Sequence, residues 1–185
     1  MTEQDDRIRI EAAKRDPKAF AELYELYVDR IYNYIYYRVS NVHDAEDLTS
    51  RTFYRALSHL QTYEDRGIPL SAWLYRIAHN LVANWHRDRG RRPVVALDEL
   101  VLKNRDSECP EDVAESQDSR RFLREGMRKL DPARQELLVL KFSQGLSNAE
   151  IGEIMGRSEG AIKSLYHRTL LALRKELAKK GLDIE

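Results

Sequence analysis

The chain has 185 residues, 42% of them hydrophobic, and its 31 basic and 31 acidic side chains leave no net charge. That apolar content suits one modest core or two small ones, and the pattern below fits two better. No apolar run reaches the roughly 18 residues a membrane span needs, and the acidic start MTEQDD lacks the basic and apolar regions of a signal peptide, so a cytoplasmic protein without membrane insertion is expected.

A single cysteine, Cys109, stands beside Pro110, which excludes an internal disulfide and a cysteine-rich zinc site. Eight Gly and five Pro are few, and long mixtures of Leu, Ala, Glu, Lys and Arg point to an all-α fold. Electroneutrality hides a bipolar layout. Arg76 to Arg92 carries five Arg against one Asp, and Glu159 to Lys180 six Lys or Arg against two Glu, each a net +4. Between them, Asp98 to Asp118 holds eight acids against Lys103 and Arg105, a net −6.

In chain order, the first helix is expected to start at Asp16 with Pro17 at a favourable first position. Phe20, Leu23, Tyr24, Tyr27, Ile31, Tyr34 and Ile35 then recur at steps of three and four and mark a buried face. A second helix begins in SNVHDAEDLTS, where Asp44, Glu46 and Asp47 crowd the first turn and suit the helix dipole; Leu48, Phe53, Ala56, Leu57 and Leu60 give its apolar side. Gln61 to Leu70, with Gly67 and Pro69, is expected as a loop. Ser71 to Arg89 then forms a helix of about 28 Å. Trp73, Ile77, Leu81 and Trp85 line one side of it, and Arg76, Asn80, Asn84 and Arg87 another.

Gly90 and Pro93 disfavour continuation. Residues 93–118 read as a flexible acidic linker, with a transient helical turn at Asp98 to Leu102. Order resumes at Ser119 with a helical pair, its second member opened by Asp131 as cap and Pro132 and closed by Gly145. Ser147 and Glu150 form a capping box, Gly156 stops that helix, and Ser158 caps the last, whose Ile162, Leu165, Leu173 and Leu177 face inward. The expected organisation is two small helical domains, 1–92 and 119–185, joined by the linker 93–118.

The closing pair of helices has the pattern of a helix-turn-helix. Ile151, Ile154 and Met155 can pack on Ile162 and Leu165, leaving Lys163, Ser164, His167 and Arg168 outward. Those types donate to phosphates and purine edges in a major groove. The stretch Tyr63 to Arg87 combines an aromatic-bearing loop with cations and amides, which suits an unstacked single strand. Trp73 and Trp85 fit core positions better than stacking platforms. His43, His59, His79, His86 and His167 are scattered without metal-ligand spacing, and no phosphate-cradling loop or nucleophile motif occurs. No cofactor, no metal and no enzymatic activity is expected.

DAEDLTSRTFYRAL, then SAWLYRIAHNLVANWHRDRGRR, then LDPARQELLVLKFSQGLSNAEIGEIMGRSEGAIKSLYHRTLLALRKEL together resemble a bacterial RNA polymerase sigma factor of the extracytoplasmic-function (ECF) type. The resemblance covers about Ala19 to Leu177 apart from the linker. It implies a front domain that grips the polymerase clamp and opens the minus-ten element, and a rear helix-turn-helix domain for the minus-thirty-five element. Asp44, Glu46, Asp47, Arg51 and Arg55 would then dock on polymerase, with Ser50 and Arg51 standing where the family often carries Gln and Glu. Tyr63, Asp65, Arg66, Ser71, Arg76, Asn80, Asn84 and Arg87 would meet the minus-ten strand. Ser158, Glu159, Lys163, Ser164, His167 and Arg168 would meet the minus-thirty-five element, with Leu165 where Arg is common.

The implied partners are core RNA polymerase, promoter DNA and an anti-sigma factor. The linker would thread the RNA exit channel or serve as a solvated tether. Charge arithmetic adds the expectation that the free chain folds inward, with the acidic strip against a basic block. A one-component helix-turn-helix regulator that binds DNA without polymerase stays open as an alternative, as does a helical protein that only occupies the clamp.

Overall fold

Every regular element is helical in the computed structural model, which describes residues 3–64, 69–90, 121–123 and 125–179. The order is α1 (Glu3–Arg15), α2 (Phe20–Val39), α3 (Val42–His59), α4 (Leu70–Asp88), α5 (the helical residues 121–123 and 125–128), α6 (Pro132–Leu138), α7 (Asn148–Met155) and α8 (Glu159–Ala178). The expected linker, its turn at Asp98 to Leu102, and the loop residues Asp65 and Arg66 lie outside the described residues.

Local chemistry sets most of the boundaries. Asp16 accepts from the Lys18 amide at 2.9 Å and opens a 3-10 turn, Pro17–Ala19, that leads into α2. α2 stops at Ser40, in the left-handed region at φ 53°, whose amide donates to the Tyr36 carbonyl at 2.8 Å. Asn41 then caps α3 by accepting from the Asp44 amide at 3.0 Å. Asp131 caps α6 in the same way, with Pro132 at the first helical position. α6 continues into a π-helical turn, Val139–Ser143, before Gly145 reverses the chain at φ 67°. The capping box of Ser147 and Glu150 is closed in both directions, at 3.2 and 2.6 Å.

α2, α3 and α4 pack on one another in the front domain, and Leu23, Tyr27, Ile31, Tyr34, Ile35, Leu48, Leu74, Tyr75, Ala78, Leu81 and Val82 are almost wholly buried. In the rear domain Leu137, Val139, Leu140, Ile151, Ile154 and Ile162 do the same. Four expectations shift. Residues 3–15, assigned no element from sequence, form α1, because Ile10 and Ala13 bury against the bundle while Ile8 stays exposed. On α4 the deepest face is Leu74, Tyr75, Ala78, Leu81 and Val82, and Trp73, Ile77 and Trp85 are half-buried at its margin. Tyr24 and Leu57 sit at the surface, the former edge-on to Phe53 at 4.9 Å.

The fourth concerns the whole chain. Instead of two separate cores, the buried side chains of both domains run together as one cluster. α7 of the rear domain packs directly on α4 of the front domain.

Candidate nucleic-acid interface

The helix-turn-helix is built around a turn too tight for a side chain. The Arg157 amide donates to the Gly152 carbonyl at 2.9 Å, Gly156 takes φ 64°, and a Cβ on Gly152 would meet the Arg157 carbonyl at 2.6 Å. Ser158 then caps α8 by accepting from the Ala161 amide at 3.2 Å. Ile151, Ile154, Ile162 and Leu165 bury between the helices. Ser158, Glu159, Lys163, Ser164, His167 and Arg168 are exposed together along the first half of α8. Lys163 bridges to Glu159 at 2.9 Å, and the Arg168 Nε donates to the Ser164 carbonyl at 3.2 Å. Leu165 faces inward, so it packs the domain and adds nothing to the outward face.

In the front domain a cleft of about 170 Å³ opens between the start of the 63–69 connection and α4. Its walls are Thr62, Tyr63, Glu64, Ala72, Trp73 and Arg76, with Glu153 of α7 closing one side. The Tyr63 and Trp73 rings lie 4.8 Å apart. α1 braces this edge: the Lys14 Nζ donates to the Tyr63 carbonyl at 3.1 Å and the Gln61 amide to the Lys14 carbonyl at 2.6 Å. Arg76, Asn80 and Arg87 are exposed and Asn84 half-buried, whereas Ser71 is buried. Arg76 is already paired with Glu153 at 3.6 Å.

On α3, Glu46, Asp47, Arg51 and Arg55 are exposed. Asp47 pairs with Arg51 at 3.5 Å, and Glu46 lies 3.7 Å from His43 Nδ1. Asp44 instead holds Arg89 at 2.7 Å, and that guanidinium stacks over Trp85 at 4.7 Å. Tyr54, 73% exposed, adds an apolar surface beside Arg51 and Arg55.

A polar node sits deep between the domains. Glu136 of α6 is 3% exposed, yet its Oε1 accepts from Tyr34 Oη at 2.6 Å, lies 2.7 Å from His79 Nδ1 and pairs with Arg38. Arg38 also donates to Tyr34 Oη at 3.0 Å. Burial acts to raise the Glu136 carboxyl, but Arg38, His79 and Tyr34 outweigh it and hold the group at about 2. Burial first, and then the Glu136 charge, push the Tyr34 phenol well above its ordinary value. Beside the node, Tyr75 donates to Gln144 Oε1, and Arg30 reaches the Gln144 carbonyl at 3.4 Å. Burial pushes the Tyr75 phenol up to about 12.

Comparison with known families agrees with this two-part layout. Residues 23–92 match the family model "Sigma-70 region 2" and residues 122–173 match "Sigma-70, region 4". The chain is 42% identical over 169 residues to the ECF RNA polymerase sigma factor BldN of Streptomyces coelicolor, covering 91% of this chain and 63% of that one. It is 35% identical over 180 residues to the ECF RNA polymerase sigma factor SigW of Bacillus subtilis, covering 91% and 95%.

The chain belongs to the ECF sigma factors.

Two solved structures share the fold of this ECF chain. CnrH in complex with the cytosolic domain of CnrY aligns with a TM-score of 0.64 at 22% identity over 94% of this chain and 97% of that one. RpoE of Bartonella quintana, bound to the anti-sigma factor NepR, aligns at 0.60 and 24% over 87% and 98%. Among the described residues no helix is long and apolar enough to cross a membrane.

Sequence reasoning brought together the α8 face, the Tyr63–Arg76 cleft and the α3 surface of this ECF chain, but missed Tyr54 and the Glu136 node. The signal for the node was present: Glu136 precedes the unbroken apolar run Leu137 to Leu140, an unusual place for a charge unless it is paired.

Proposed function

We propose that this chain binds core RNA polymerase, recognises promoter DNA and promotes strand opening, acting as an initiation factor rather than as an enzyme. The observation that carries the reading is the pairing, in one ECF chain, of an exposed basic helix-turn-helix face on α8 with an aromatic and cationic cleft at Tyr63, Trp73 and Arg76. α8 suits duplex DNA in the major groove, through Lys163, Ser164, His167 and Arg168. The cleft suits an unstacked base of the minus-ten strand, with Asn80 and Asn84 beside it and Arg76 and Arg87 on phosphates. Asp65 and Arg66 of the intervening loop belong to the same assignment. The α3 surface of Asp44, Glu46, Asp47, Arg51 and Arg55, extended by Tyr54, is the polymerase-docking face.

Opening a few base pairs costs on the order of 1.4 kcal/mol per step, so capture of exposed bases has to be coupled to polymerase binding. Residues 1–92 and 119–185 act as the two modules and 93–118 as their tether. An anti-sigma factor, the kind of partner seen with RpoE of Bartonella quintana, is the expected regulator, and the chain works in the cytoplasm.

The decisive experiment is transcription in vitro with purified core polymerase and a promoter library, with and without the protein. Initiation at a defined promoter class that depends on the chain supports the reading. Tight DNA binding with no polymerase association would instead identify a one-component regulator.

A further inference from the structure

We propose that the front domain carries a carboxylate-binding notch, made by Arg38, Tyr34 and His79, whose occupant in the free chain is Glu136 of the rear domain, and that this seating shuts the Tyr63–Arg76 cleft. The notch is a built site. Arg38 and Glu136 are 5% and 3% exposed, and three donor groups from two helices of the front domain, α2 and α4, converge on one oxygen of a residue from α6. A carboxylate so far from water persists only with its charge matched and its lone pairs used.

Glu136 is seated there by contacts that span 102 and 57 positions of sequence. Within the rear domain itself Glu136 flanks Gln135, which satisfies its own chain by donating to the Met127 and Leu130 carbonyls at 3.0 Å each. The described hydrogen bonds of the Glu136 side chain, by contrast, all go to the front domain.

Seating Glu136 has a geometric consequence one helix further on. It brings α7 against α4, where Glu153 becomes a wall of the cleft and pairs with Arg76. A protein carboxylate thus stands at the cation that the preceding reading gives to a DNA phosphate. The Arg76–Glu153 pair is half-exposed and weak by itself; its place is fixed by the buried node. The occlusion rests on the assignment of that cleft to the minus-ten strand, while the seating does not.

The test uses the full chain and E136Q at matched concentration, with far-UV circular dichroism to establish that both are folded. Small-angle X-ray scattering should give a smaller radius of gyration for wild type than for E136Q. Binding of a fluorescein-labelled mixed-sequence single strand, read by anisotropy, should tighten about tenfold in E136Q, as for a chain whose binding-competent form is about one-tenth populated. If E136Q loses helical signal, H79A, which removes the half-buried donor of the same notch, is expected to expand in the same way. Equal radii for the wild type and the folded variant overturn the seating. Expansion with unchanged strand affinity overturns the occlusion. If neither protein binds the strand, the assignment of the cleft fails, and scattering alone then decides the seating.

Discussion

Glu136 and Gly152 show how single residues set the behaviour of this chain. The Glu136 carboxyl is held at about 2, below its ordinary 4.5, because Arg38, His79 and Tyr34 together outweigh the effect of burial. A folded value below the unfolded one means a stabilising contribution that is complete above about pH 4.5 and lost as pH falls toward about 2. Urea unfolding should therefore separate wild type from E136Q at neutral pH, and the two curves should converge near pH 2. Gly152 makes the opposite kind of demand, for absence of a side chain. Its Cβ position is 2.6 Å from a backbone oxygen that cannot swing away. Gly152→Ala should cost about 1–3 kcal/mol through overpacking, seen as a lowered thermal midpoint. Neither residue contributes to the exposed α8 face.

At the scale of elements, what was legible in sequence was what is decided locally. Asp16, Asp131, Ser147 and Ser158 cap where their types and followers say they should, since a cap is settled within three or four residues. Ser147→Ala should remove about 1 kcal/mol from the rear domain, measurable by denaturant titration. α1 was illegible for the complementary reason. Its sequence, EQDDRIRIEAAKR, offers only Ile10 and Ala13 to the core, and a pattern that sparse acquires meaning only from its neighbours, such as the Asp6 carboxylate that accepts from Tyr27 Oη at 2.6 Å. The margin of α4 was misjudged because two tryptophans look like core by type, whereas the smaller Ala78 and Val82 take the fully buried positions and the tryptophans pack half-buried at the edge. On α8, the exposure of Lys163 and Arg168 carries its own expectation. Replacing each by Ala should leave polymerase association unchanged and lower the salt dependence of promoter binding by about one unit per lost phosphate contact.

For the molecule as a whole, composition suggested two independent modules, and charge suggested that an acidic strip would fold them inward. That strip lies outside the described residues. Among the described residues the domains are joined at short range, by one continuous apolar cluster with the Glu136 node inside it. No sequence window contains that contact, because its partners are separated by 57 and 102 positions. The two mechanisms differ in their response to salt. Attraction between solvated charged strips fades once the Debye length drops to about 3 Å in 1 M salt, whereas buried pairs are screened much less. The radius of gyration of wild type should therefore stay nearly constant from 0.1 to about 1 M NaCl, and a marked expansion over that range would favour the strip.

Because Tyr34, Arg38 and Glu136 are buried and none of the node residues is among those proposed to contact DNA, loss of inhibition and loss of recognition should map to different codons of the gene. A selection for overactive alleles should collect changes at codons 34, 38, 79 and 136 and spare codons 163 to 168, so the substitutions that release this factor would be those that alter no contact with the promoter.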